Sequence, residues 1–77
     1  MSDRSGAIDP RLRKVGSRLR ELREQRGFTM EQLAERAQVG VRQIARVEAG
    51  RGSPSVLWLL DVAAGLDADP REMLRLE

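Results

Sequence analysis

Residues Thr29 to Glu48 hold two short helical patterns joined by a turn of three residues, and this pairing constrains the fold more than any other stretch of the chain. Leu33, Ala34 and Ala37 mark the first pattern, Gln38-Val39-Gly40 the turn, and Ile44 with Val47 the second. A turn this tight prevents the helices from running back antiparallel, so they must cross steeply. The second helix is polar or cationic where the first does not cover it, at Arg42, Gln43 and Arg46. A short helix braced by its neighbour, with arginines facing outward, has the shape and charge to enter a DNA major groove.

The rest of the chain is helical in pattern as well. Asp9-Pro10 is a helix start, with Asp as cap and Pro at the first helical position. Leu12, Val15, Leu19 and Leu22 then form an apolar stripe, within about 80° at 100° per residue. Gly27 ends that helix. Thr29 with Gln32 is a capping box that opens the second. Ser53-Pro54-Ser55 initiates the most apolar stretch, Val56 to Leu66, with Leu59, Val62, Ala63 and Leu66 as its core face. Asp69-Pro70-Arg71-Glu72 repeats the capping device for a last short helix carrying Met73, Leu74 and Leu76. No segment alternates with the period of two that a strand requires. The expected organisation is a flexible arm over residues 1–8 and one all-α, five-helix domain over 9–77, with a helix-turn-helix at about 29–48.

Composition narrows the function. The 77 residues contain no cysteine and no histidine. Thiolate metal sites, disulfides, the usual zinc ligand and the usual general base are therefore all missing, and neither a metal nor a cofactor nor an enzymatic role is expected. No apolar run approaches the roughly 18 residues of a membrane span, and no signal peptide is visible, so the expected compartment is the cytoplasm. Net charge is only +2, but it divides into +5 over residues 1–51 and −3 over 52–77. All but one of the basic residues are Arg, whose planar fork suits phosphate and guanine. A basic front with an acidic back fits a protein that docks one face on nucleic acid; an Arg-rich solvated surface is the plainer reading of the same numbers.

Individual residues can be assigned roles on this basis. Arg42 and Arg46 project together, away from Ile44 and Val47, and each arginine can bond guanine O6 and N7. Gln43 flanks them, and Val41 suits a thymine methyl. Gly50-Arg51-Gly52-Ser53 follows the second helix of the motif. If that helix enters a groove, Arg51 and Ser53 face phosphates, as do the Thr29 and Met30 amides at a helix start. A small-residue turn built for geometry alone is the other reading of the loop. Glu48 lies near the Ile44/Val47 face, where a lone carboxylate is costly to bury.

The chain resembles the phage-repressor and Cro-type (XRE-like) helix-turn-helix family. Val15 to Arg23 resembles its first helix, Gly27 to Ala34 its second, Ile44 to Gly50 the end of its recognition helix, and Pro54-Ser55 with Leu59, Val62, Ala63 and Leu66 its fourth. The resemblance implies a compact repressor-like domain that binds double-stranded DNA as a homodimer on an inverted-repeat operator. It also implies an ion pair between Arg23 and Glu48. Four positions depart from the family pattern: Gly40 replaces a Ser or Thr cap, Gln38 the usual turn glycine, Met30 a common phosphate-binding Gln, and Ala49 a commonly polar residue. Leu57 and Trp58 stand where the family is usually polar. They either form a dimer or partner interface or fold over a core whose one other aromatic is Phe28.

Two further readings accompany this one. Arg42 to Gly50 followed by Gly52 to Leu57 resembles regulators with a shikimate-kinase-like sensor domain. That implies the DNA-binding half of a longer, ligand-sensing regulator, consistent with an end at Glu77 just past the last helix. The other is a protein-interaction module of the antitoxin or bridging type.

Overall fold

In the computed structural model, Asp9 opens α1 (Pro10–Gln25) by accepting a hydrogen bond of 2.9 Å from the Arg11 amide. Pro10 occupies a position whose N–H no helix needs. The model describes residues 9–76, so the arm expected over 1–8 lies outside the described residues. Gly27 follows the end of α1 with φ at +74°, the left-handed conformation that lets the chain leave a helix sharply. The Thr29/Gln32 capping box is complete and starts α2 (Met30–Ala37). Next come α3 (Val41–Glu48) and α4 (Val56–Leu66), the latter capped by Ser55 through the Trp58 amide. A 3-10 segment, Pro70–Leu74, completes the chain. No strand is present among the described residues.

The apolar stripe of α1 packs on α3, and α2 packs on both α3 and α4. Leu19, Leu33, Ile44, Val62, Leu66 and Met73 are sealed from solvent at the centre. Burying each side chain of this size is worth about 1.5–3 kcal/mol. Two glycines set the helix separations. A Cβ on Gly16 would stand 2.0 Å from the Val47 carbonyl oxygen, and one on Gly65 would stand 2.8 Å from Ala37 Cβ. α1 meets α3, and α4 meets α2, at distances only glycine allows.

Helix α4 has no basic residue in its own last turn to balance its carbonyls. Its neighbours supply them: Arg26 Nε donates to Leu66 O at 2.6 Å and Arg36 Nε to Gly65 O at 2.7 Å. Cations at a helix C-terminus satisfy orphan acceptors and oppose the dipole. Arg36 also lies 4.5 Å above the Phe28 ring, which ties the α1–α2 turn to the same corner.

Two expectations need correction. The fifth helix is a single 3-10 segment, because the capping box expected at Asp69 does not form. Asp69 accepts from the Arg71 amide, while the Glu72 carboxylate is held by Arg18 Nη2 at 2.7 Å. With five residues and no full cap, the tighter 3-10 form is the usual outcome. Of its apolar residues, only Met73 reaches the core; Leu74 is exposed.

The second correction is Trp58, which is 7% exposed and part of the core. It precedes Val62 by four residues and Leu66 by eight, so all three share one helical face. Leu59, expected on the core face, is only partly buried. Leu57 is the member of the expected patch that faces solvent.

Candidate nucleic-acid interface

The turn between α2 and α3 is closed by backbone hydrogen bonds. Val39 N donates to Ala34 O at 3.0 Å and Gln38 N to Glu35 O at 3.4 Å, the paired pattern that ends a helix on a left-handed residue. That residue is Gln38, at φ 57° and ψ 46°. A side chain there costs about 1–2 kcal/mol where glycine would cost none. Val39 packs against the core, and Gly40 caps α3 without a side-chain hydrogen bond. α3 is thus held at its start by the turn and along its length by Ile44 and Val47.

Arg23 and Glu48 meet. The guanidinium donates from Nε to Oε2 at 2.7 Å and from Nη2 to Oε1 at 3.0 Å, and its Nη1 donates to Phe28 O at 2.8 Å. Its hydrogen bonds to Glu48 raise the arginine pKa above its ordinary value, against the opposing effect of burial. The pair fixes α1 to the end of α3.

Most other arginines are also committed inside the protein. Arg11, Arg20 and Arg71 pair with Asp9, Glu24 and Asp69. Arg18 holds Glu21 and Glu72, and Arg75 reaches Glu72. Arg26 and Arg36 serve α4, and Lys14 donates to Leu76 O. Four cationic side chains make no ion pair or hydrogen bond with another described residue: those of Arg13, Arg42, Arg46 and Arg51. Arg42 and Arg46 lie one turn apart on α3, both exposed, with Gln43 between them also exposed. The loop after α3 folds back along this helix. Arg51 N donates to Arg46 O at 2.9 Å, and the Gly52 Cβ position lies 3.8 Å from Arg46 Cβ.

The helix-turn-helix domain family model matches residues 14–76 of this chain. The chain belongs to the helix-turn-helix domain family. It is similar to the HTH-type transcriptional regulator DdrOP3 of Deinococcus deserti, 39% identical over 51 residues, which cover 66% of this chain and 40% of that protein. The restriction-modification controller protein C.AhdI from Aeromonas hydrophila superposes with a TM-score of 0.79 at 39% identity, over 80% of this chain and 94% of that one. The clp gene regulator ClgR from C. glutamicum superposes at 0.77 with 30% identity, over 82% of each chain.

Within this helix-turn-helix, the expected site residues fall into three groups. Arg42, Gln43 and Arg46 share the outer face of α3 with Val41, which is 37% exposed at its first turn. Arg51 and Ser53 are exposed on the adjoining loop. At the start of α2, the Thr29 amide already donates to Gln32 Oε1 at 2.9 Å, which removes it as a phosphate donor in this conformation. Met30 is half-buried against the core and keeps its amide among the orphan donors of the first turn.

Arg13, which its place in the sequence does not single out, joins this surface through packing alone: α1 lies against α3 and brings it to Gly50, whose Cβ position is 2.9 Å from Arg13 Cγ.

Proposed function

We propose that this helix-turn-helix domain is a sequence-specific transcriptional regulator that lays α3 in the DNA major groove and acts as a repressor. One observation carries the reading: three of the four uncommitted arginines lie on α3 and its following loop, while the described remainder are used within the fold. Arg42, Gln43, Arg46 and Val41 read base edges, each arginine–guanine pair contributing about 1–3 kcal/mol of discrimination. Arg51, Ser53 and the Met30 amide hold phosphates. The regulator and controller names of its relatives support the same reading.

The domain binds an inverted repeat as a homodimer. Val56, Leu57 and Leu60 are 71%, 73% and 44% exposed along one side of α4. A second copy seated there removes this apolar strip from water and, because α4 follows the loop from α3, sets two recognition helices about one DNA turn apart.

Titration of a labelled duplex selected for binding, against a random duplex, tests the proposal. The expected result is a preference for the selected sequence together with a steep loss of affinity between about 50 and 200 mM salt. Affinity indifferent to salt would instead favour the antitoxin or bridging type of module.

A further inference from the structure

We propose that Arg13 of α1 is an additional phosphate-binding residue, extending the DNA contact beyond the helix-turn-helix onto the backbone that flanks it. The inference rests on the DNA-binding reading above and assigns a role to a residue outside that motif.

Arg13 is exposed, and its stem crosses Gly50, the residue that follows α3 with φ at +76°. A Cβ at Gly50 would lie 2.9 Å from Arg13 Cγ and 3.2 Å from its Cα. The absence of a side chain there lets α1 bring a cation to the loop that carries Arg51. No carboxylate among the described residues claims that cation, although nine of the other basic residues pair with an acid or donate to a backbone carbonyl at the end of α4 or at Leu76. On its other side, Arg13 lines an open groove with Lys14, Ser17, Arg18, Glu21 and Arg75. Lys14, Arg18 and Arg75 are already spent on Leu76 O, Glu21 and Glu72, so within this groove Arg13 is the cation left to meet an outside anion.

The positive surface therefore continues from Arg46 and Arg51 through Arg13 to the rim of this groove. An anion with regularly spaced charges fits a line of this kind, and duplex phosphates supply it. Each phosphate neutralised by a protein cation contributes about 0.9 to the slope of log affinity against log salt.

The test measures that slope on a random-sequence duplex for the parent, Arg13→Gln, Arg13→Lys and Arg20→Ala. Glutamine keeps the stem over Gly50 and removes the charge; Arg20 pairs with Glu24 on the surface and serves as control. Arg13→Gln is expected to lower the slope by about one unit and to remove one outer phosphate from an ethylation-interference footprint. Arg13→Lys and Arg20→Ala are expected to keep the parental slope, and melting curves will confirm that each variant is folded. A parent that binds with the usual salt dependence while Arg13→Gln keeps both its slope and its footprint would overturn this inference alone. A parent with no salt-dependent binding would remove the DNA-binding reading beneath it.

Discussion

Arg23 and Glu48 form a two-pronged ion pair whose side chains are only 11% and 4% exposed, joining the last turn of α1 to the last residue of α3. The third guanidinium contact, to Phe28 O, places the same cation across the entry to α2. One arginine therefore ties together α1, the entry to α2 and the end of α3. Removing one partner of such a pair leaves a charge with poor access to water, at about 3–5 kcal/mol. A single core of this size supplies about 3–5 kcal/mol in total. Glu48→Ala is therefore expected to leave much of the population unfolded by thermal melting, and Arg23→Met with Glu48→Leu to recover part of the loss. Additive losses across the double-mutant cycle would show that the contact contributes nothing.

If α3 reads bases as proposed, variants on its outer face and on the loop after it respond differently to DNA sequence. Arg42→Ala and Arg46→Ala are each expected to cost about 1–3 kcal/mol on a selected sequence and much less on random DNA. Arg51→Ala is expected to weaken both alike and reduce the salt slope by about one unit. Equal losses on both duplexes for Arg42 and Arg46 would mean that α3 does not read bases.

What could be read from the sequence was local. Asp9-Pro10 and Thr29-Gln32 specify their helix starts within four residues, and the α1 stripe predicted Val15, Leu19 and Leu22 in the core. The failures involve distant partners or weak patterns. Glu72 could not cap its own segment because Arg18, 54 residues away, holds it. α4 is apolar on nearly every side, so its sequence did not separate Trp58, which is buried, from Leu57, which is not. Arg13 acquires its position only when Gly16 brings α1 onto α3.

That close approach yields a prediction of unusual sign. Gly→Ala inside a helix ordinarily stabilises by roughly 0.5–1 kcal/mol. At Gly16 the new methyl would sit 2.0 Å from Val47 O and 3.0 Å from Glu48 O, both backbone atoms that cannot rotate away. Overpacking of this kind costs about 1–3 kcal/mol. Gly16→Ala is therefore expected to lower the melting temperature, whereas Gly40→Ala, with nothing within 4 Å of its Cβ position, is expected to leave the packing of α3 undisturbed. Equal behaviour of the two variants would contradict the tight α1–α3 contact.

Two helix caps predict the acid response. The pKa values of Asp9 and Asp69 fall from 3.8 to about 2, chiefly through side-chain hydrogen bonds from Arg11 and Arg71. A carboxyl with a lowered folded pKa stabilises fully above its ordinary value and loses that contribution as pH falls toward the folded one. Stability from both caps is expected to decline between pH 3.8 and about 2. Asp9→Asn with Asp69→Asn should flatten the melting temperature across that window, and an unchanged profile would show that the caps do not titrate with folding.

Leu57 and Trp58 are neighbours with opposite surroundings, and their variants should separate assembly from stability. Leu57 is 73% exposed beside Val56, so Leu57→Asp is expected to weaken self-association in sedimentation while helical content and melting temperature stay near the parent. Trp58 is 7% exposed, and truncation to Ala is expected to cost about 3–5 kcal/mol through the cavity left behind. Its indole Nε1 is buried without a hydrogen-bond partner among the described residues, and such an orphan donor costs about 1–3 kcal/mol. Trp58→Phe removes that donor along with part of the ring, so the two effects oppose each other. A much smaller destabilisation by Phe than by Ala is expected in urea melts. If Phe were as damaging as Ala, the indole N–H would have to be satisfied in solution. If Leu57→Asp left association unchanged, the proposed homodimer contact through α4 would be wrong.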